Sequence, residues 1–261
     1  MPILGIVNAS KSNFRGVAGY FGGGNDSGGR VSGIDKITFP LDTKTTLSAT
    51  LTSARNNLSG MANSSVAGYF LGGDDGSSFM SGIDKITFPA DGKTTLSPTL
   101  SSARRALAAM ADNNVAGYAG GGNDGSRVSG IDKITFPADT KTTLSPTLST
   151  ARSALAAMAN SGVAGYFAGG YDTGLIDGID KITFPADTRT TLSAVLTSPR
   201  SALAAMAANA SAGYFGGGEA AAGARLSGID KITFPGDGKT TLSPTLSTAR
   251  TSPTGMADGG V

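Results

Sequence analysis

The heptapeptide Ile34-Asp35-Lys36-Ile37-Thr38-Phe39-Pro40 alternates along its length. Asp35, Ile37 and Phe39 project to one side, and Ile34, Lys36 and Thr38 to the other, the period of a strand. Pro40 predicts where that strand stops. Both sides carry apolar bulk, as expected of a sheet covered on two faces. The heptapeptide returns letter for letter at 83–89, 131–137, 179–185 and 229–235, at steps of 49, 48, 48 and 50 residues. Five near-copies of one unit therefore fill most of the chain.

Turn residues divide each unit into four strand candidates. In the third copy these are residues 107–111, then 115–119 closed by Gly120-Gly121-Gly122, then 131–136 closed by Pro137, then 142–148 closed by Ser149-Thr150-Ala151-Arg152. Four strands in about 48 residues is the period of a propeller blade. Pro98, Pro146 and Pro244 share one position in the fourth strand, and proline is confined to sheet edges, so that strand is expected on the outside. The first strand, small residues around one methionine, is then innermost. Met61, Met110, Met158, Met206 and Met256 share its central position, whereas Ser12, one period before Met61, lies in a stretch that does not match. The first copy thus begins at its second strand near Gly16, and the chain ends on a first strand with no second strand after it.

The expected fold is all-β: a five-bladed β-propeller of four-stranded antiparallel blades, its ring closed by the C-terminal strand pairing with the N-terminal three. Residues 1–15 are expected to be an extension or tether, and 16–261 the propeller.

Composition narrows the chemistry. The 261 residues carry 21 Lys plus Arg against 19 Asp plus Glu, which leaves no basic field for nucleic acid. Cys, His and Trp are absent, which excludes disulfides, thiolate or imidazole metal sites, Cys nucleophiles and His bases. No apolar run approaches the roughly 20 residues of a membrane helix. The opening Ile3-Leu4-Gly5-Ile6-Val7 is short and lacks the basic flank of a secretion signal. Asp74-Asp75-Gly76 and Asn123-Asp124-Gly125 could be fragments of a calcium loop, but the remaining oxygen ligands are missing, so they read as turns. The innermost strands offer only Asp112 and Asp258 at their ends. No catalytic residue, metal or cofactor is expected.

Residues repeated in every unit are expected to be structural. Asp35, Asp84, Asp132, Asp180 and Asp230 recur, as do Arg55, Arg104, Arg152, Arg200 and Arg250, and pairing with Arg or backbone N–H groups is their expected role. Tyr20, Tyr69, Tyr118, Tyr166 and Tyr214 are expected between blades, as packing or as hydroxyl staples. The loop from second to third strand is what differs between copies, and loops on a rigid scaffold carry binding. Its candidate ligand or partner residues are Asn25, Asp26 and Arg30 in the first copy, and Asp74, Asp75 and Phe79 in the second. They are Asn123, Asp124 and Arg127 in the third, Tyr171 and Asp172 in the fourth, and Glu219 and Arg225 in the fifth. All five loops are expected on one face of the ring.

These features resemble the kelch repeat. The glycine doublets Gly22-Gly23, Gly72-Gly73, Gly121-Gly122, Gly169-Gly170 and Gly216-Gly217 end the second strand. Phe39, Phe88, Phe136, Phe184 and Phe234 end the third, an Asp-x-x-Thr turn follows from Asp42 to Thr45, and an Arg ends each unit. The family's fourth-strand Trp is missing, with Leu47, Leu96, Leu144, Leu192 and Leu242 near its place, and five blades are fewer than the family's usual six or seven. More narrowly, the Gly-Tyr-Phe-Gly-Gly-Gly and Leu-Ser-x-x-Arg elements resemble kelch-like repeat proteins of tailed phages, especially those of cyanobacteria. That resemblance implies a non-enzymatic virion component, capsid- or tail-associated. Its partners would be other virion proteins, or a host-surface receptor or glycan. A homo-oligomer within a larger assembly and a generic protein-interaction scaffold are compatible with it.

Overall fold

Each copy of the alternating heptapeptide supplies the third strand of a sheet. The computed structural model describes residues 18–255. The third sheet runs Ala108–Asp112, Ala116–Gly120, Ile131–Thr135 and Lys141–Thr143, antiparallel and paired in chain order. The second begins at Ser59–Asn63, the fourth at Ala156–Asn160 and the fifth at Ala204–Ala208, each with the same four-stranded order. Among the described residues the first has three strands, Ala18–Gly22, Ile34–Thr38 and Thr43–Thr46. Its loop adds a ribbon of Asn25–Asp26 with Gly29–Arg30, and the fifth sheet's loop adds a 3-10 turn, Ala221–Gly223.

In the third sheet the first two strands start one residue later than the pattern predicts. The fourth differs more. It covers Lys141–Thr143, not 142–148, and Pro146 lies beyond it in a bend. After Leu144 N–H donates to Ile131 O at 2.9 Å the chain leaves the ladder, and it does so at the same place after Leu47 and Leu192, where Ala49 and Ala194 stand in place of the proline. The fourth strand does occupy the sheet edge, but its prolines are not what places it there.

The first strands of the second to fifth sheets lie side by side along the inside. Their Ala and Gly residues permit that approach. Just before them runs a ladder of backbone bonds: Ala106 N–H to Asn57 O, Ala154 to Ala106 and Ala202 to Ala154, each 2.8 Å, and Ser252 to Ala202 at 2.7 Å. All five residues sit at left-handed φ of 49° to 54°, a conformation that turns the strand inward and disfavours Ala. Inner strands adjacent and outer strands at free edges make a propeller-like arrangement.

The core lies between sheets, in four clusters, one per successive pair. Between third and fourth sheets, Tyr118 stacks on Phe184 with centroids 4.8 Å apart, and Met110 lies over Gly165 where a Cβ would collide with its sulfur. Phe167 lies over Gly120, 2.8 Å from where a Cβ would stand. The tyrosine–phenylalanine stack recurs at the other three junctions. Met61 lies over Gly117, Met158 over Gly213 and Phe70 over Gly22, side-chain plugs over glycine sockets. Ala119 replaces the phenylalanine between second and third sheets. The terminal faces are open by comparison: Phe21 is 66% exposed on the first sheet and Met206 37% on the fifth. The closing strand expected at 256–261 and the tether expected at 1–15 lie outside the described residues.

Candidate functional site

The repeated charges lie at the sheet junctions. Arg152, at the end of one unit, reaches Asp180 on the next unit's third strand, Nη2 to Oδ2 2.9 Å, with both side chains 0% exposed. Ser149 adds its N–H and hydroxyl to the same oxygen, each at 2.9 Å, and the Thr191 hydroxyl donates to the other at 2.7 Å. Arg55–Asp84 at 2.8 Å, Arg104–Asp132 at 2.9 Å and Arg200–Asp230 at 2.6 Å repeat the design. Burial by itself would raise the carboxyls of Asp84, Asp132 and Asp230. Hydrogen bonds from Thr52, Ser101 and Thr197, with the neighbouring cations, outweigh it and hold all three below the usual carboxylate range.

A second tie uses the tyrosine hydroxyls, with an aspartate and a lysine that sequence reasoning did not name. The Tyr118 hydroxyl and Lys133 ammonium both donate to Asp187 of the following sheet, each at 2.7 Å. Tyr20 and Lys36 do so to Asp91, Tyr69 and Lys85 to Asp139, and Tyr166 and Lys181 to Asp237. Burial, then the aspartate hydrogen bond, pushes these four tyrosines well above their ordinary value. The signal was in the chain: an Asp stands three residues after every heptapeptide Phe. Asp112, the inner-strand acid, accepts from Gly162 N–H at 2.7 Å and Ser161 Oγ at 3.0 Å and so caps the next sheet. Asp258 lies outside the described residues.

The end faces differ. Asp35 bonds within its own sheet, to Lys44 at 3.0 Å and Thr46 at 2.6 Å, and its side chain is 41% exposed. Arg250 is exposed and bonds to Ser247 Oγ and Thr248 O in its own turn, each at 3.1 Å.

The variable loops form a rim. The first residue of each later loop, Asp74, Asn123, Tyr171 or Glu219, pairs with the loop's last residue and with the residue after the preceding unit's Arg. That pairing sets the four loops beside the Arg turns. Asp74, one of the candidate loop residues, is 5% exposed. It accepts from Arg30 at 2.8 Å, Arg105 at 2.7 Å and Gly76 N–H at 2.7 Å. Burial would raise its carboxyl, but the Gly76 N–H and both guanidiniums hold it low. Arg105, which sequence reasoning passed over, also covers the Phe79 ring at 4.9 Å. Arg127 lies over the Tyr171 ring at 5.2 Å. Arg30, Phe79, Arg127 and Glu219 are thus half-buried, not free at the surface, whereas Tyr171 and Arg225 are exposed.

Asp26, Asp75, Asn123 and Asp124 each accept a backbone N–H from within two or three residues, so their oxygens close turns. Among the described residues no group of three or more acids could hold a metal. Asn25 and Asp172 complete the rim without a side-chain link between loops. Side-chain links join first loop to second and third to fourth. Between fourth and fifth there is instead a groove of ≈ 540 Å³, lined by Tyr171, Leu175, Pro199, Ser201, Glu219 and Ala222.

No helix among the described residues is long and apolar enough to cross a membrane. No family model and no curated protein matches the chain.

Proposed function

We propose that this chain is a five-bladed, kelch-like propeller serving as a non-enzymatic structural module of a phage particle, attached to capsid or tail. One observation carries the reading: the residues repeated in every unit are used between sheets. Asp84, Asp132, Asp180 and Asp230 are buried against arginines, and Tyr20, Tyr69, Tyr118 and Tyr166 are tied to the next sheet's aspartate. The chemistry of this sequence goes into holding a rigid body, which suits an architectural part. Quantitative mass spectrometry of purified particles tests it. A fixed copy number per particle is the expected result, and absence from particles, with the protein found free, would sink the reading.

The groove between the fourth and fifth loops favours a second reading, a head that binds a receptor or glycan through the rim. Tyr171 presents an aromatic face there, and Glu219 is the single glutamate of the chain. Replacing Phe79, Tyr171 and the rim arginines together with Ala abolishes cell or glycan binding under this reading and leaves particle incorporation intact. Unchanged binding would exclude the rim.

A further inference from the structure

Arginines join neighbouring rim loops, and one gap between loops has none. Arg30, the last residue of the first loop, reaches the second: its Nε donates to Asp74 O at 2.9 Å and its Nη2 to Asp74 Oδ1 at 2.8 Å. Arg127, the last residue of the third loop, reaches the fourth in the same way. Its Nε donates to Tyr171 O at 3.3 Å, and its guanidinium lies over the Tyr171 ring. Between second and third loops the link is Arg105, whose backbone pairs with Asn123 and whose side chain meets Asp74 and the Phe79 ring. Between fourth and fifth loops neither position carries a cation. Leu175 stands where Arg30 and Arg127 stand, and Ser201 stands where Arg105 does. The groove of ≈ 540 Å³ lies in this gap.

Glu219 borders the groove at the position that Asp74 holds in the second loop. Asp74 accepts from two guanidiniums, whereas among the described residues no cation pairs with Glu219. Arg225, across the loop from Glu219, does not line the groove. Tyr171, 39% exposed, offers the groove part of its ring. Pro199 replaces the Ala54, Ala103, Ala151 and Ala249 of the other units and, with Leu175 and Ala222, makes the remaining walls apolar. We propose that this groove is a seat for an arginine side chain of a partner protein, which takes the place that the rim's own arginines take in the other gaps. The guanidinium donates to the Glu219 carboxylate, as Arg30 does to that of Asp74, and rests on Tyr171, as Arg127 does. Its methylene stem lies on Leu175 and Pro199. A neutral sugar would leave the half-buried carboxylate without a counter-charge, so the chemistry favours a cationic protein group over a glycan. This goes beyond both readings above, because it fixes the kind of group the rim takes.

The test is a titration of the full chain with a capped Gly-Arg-Gly peptide, followed by NMR of the backbone amides. Saturable shifts confined to residues 171–175, 199–201 and 219–223 are expected, and no shift there would overturn the proposal. The citrulline peptide has the same shape without the charge and is expected to shift none of these signals. Equal binding by both peptides would overturn the cation seat. The lysine peptide is expected to bind more weakly, because an ammonium lacks the planar fork that stacks and pairs. Lysine binding as tight as arginine's would overturn the choice of a guanidinium. Glu219→Gln is expected to weaken arginine binding about tenfold, the loss of one charge-assisted hydrogen bond, and unchanged affinity would overturn the role of Glu219. Leu175→Arg supplies from within the residue that Arg30 and Arg127 supply elsewhere, and is expected to abolish the shifts. Binding that survives it would overturn the equivalence of the gaps on which the proposal stands. The peptide series on the unaltered chain decides the matter whether or not Leu175→Arg folds. Shifts of the same signals by chitotriose, with none by the arginine peptide, would assign the groove to a glycan and overturn the proposal.

Discussion

Arg152 and Asp180 illustrate what burial does to a charge. Both are wholly out of water, and desolvation offsets most of their attraction. Removing one partner leaves the other uncompensated. Arg152→Met is therefore expected to cost about 3–5 kcal/mol, read from denaturant midpoints. Adding Asp180→Asn is expected to recover a good part of that loss, since a neutral amide with its oxygen at the Oδ2 position still accepts from Ser149, while its NH2 at the other position donates to the Thr191 hydroxyl. Equal loss in single and double variants would contradict this. The aspartates also set the acid limit of stability. Asp84, Asp132 and Asp230 have carboxyls depressed on folding, so their contribution is present above the unfolded value of about 3.9 and is lost as pH falls through the lower folded values. Tyr20, Tyr69, Tyr118 and Tyr166 are raised on folding, so theirs is lost as pH climbs past the unfolded value of about 10. The thermal midpoint is expected to stay level between these limits and fall outside both.

At the scale of the strand, spacing told much of the story and chemistry less. Alternation in the heptapeptide located the third strand to within a residue, because a strand covered on both faces must repeat with period two. The fourth misled because Thr142-Thr143-Leu144-Ser145-Pro146-Thr147-Leu148 keeps alternating after the ladder has ended. Leu144 and Leu148 are both buried, at 8% and 3% exposure, but Leu148 is reached through a turn, and side-chain periodicity does not report where hydrogen bonding stops. The rim was legible as a set of variable loops, yet its internal links were not. Arg30 meeting Asp74 requires two units side by side, which no single unit encodes. Glycine makes a related point about packing between strands. Gly165→Ala would drive a Cβ into Met110 and is expected to cost about 1–3 kcal/mol. Gly236, with nothing within 4 Å of an added methyl, stands where the middle copies carry Ala90, Ala138 and Ala186, and Gly236→Ala is expected to leave the melting curve in place. Two indistinguishable melting curves would refute the plug-and-socket account.

For the whole molecule, each sheet rests on its neighbours alone, so stability is a sum over junctions and the end faces are where it is weakest. Every junction is built by residues at set separations along the chain. Three residues separate the heptapeptide Phe from its Asp, thirteen that Asp from the Arg, six the Arg from the Met and eight the Met from the Tyr, in every unit that has both. Only from Tyr to Phe does the separation vary, at 19, 19, 18, 18 and 20, and that interval contains the rim loop. Elsewhere, one added residue would move a Tyr hydroxyl, an Arg or a Met plug away from its partner in the adjoining sheet and flip the side chains that follow to the wrong face. The fold thus leaves one place per unit where growth or loss of chain is free, and it directs all such change to a single face. A lineage diversifying this protein would vary its surface there while the body beneath kept its dimensions.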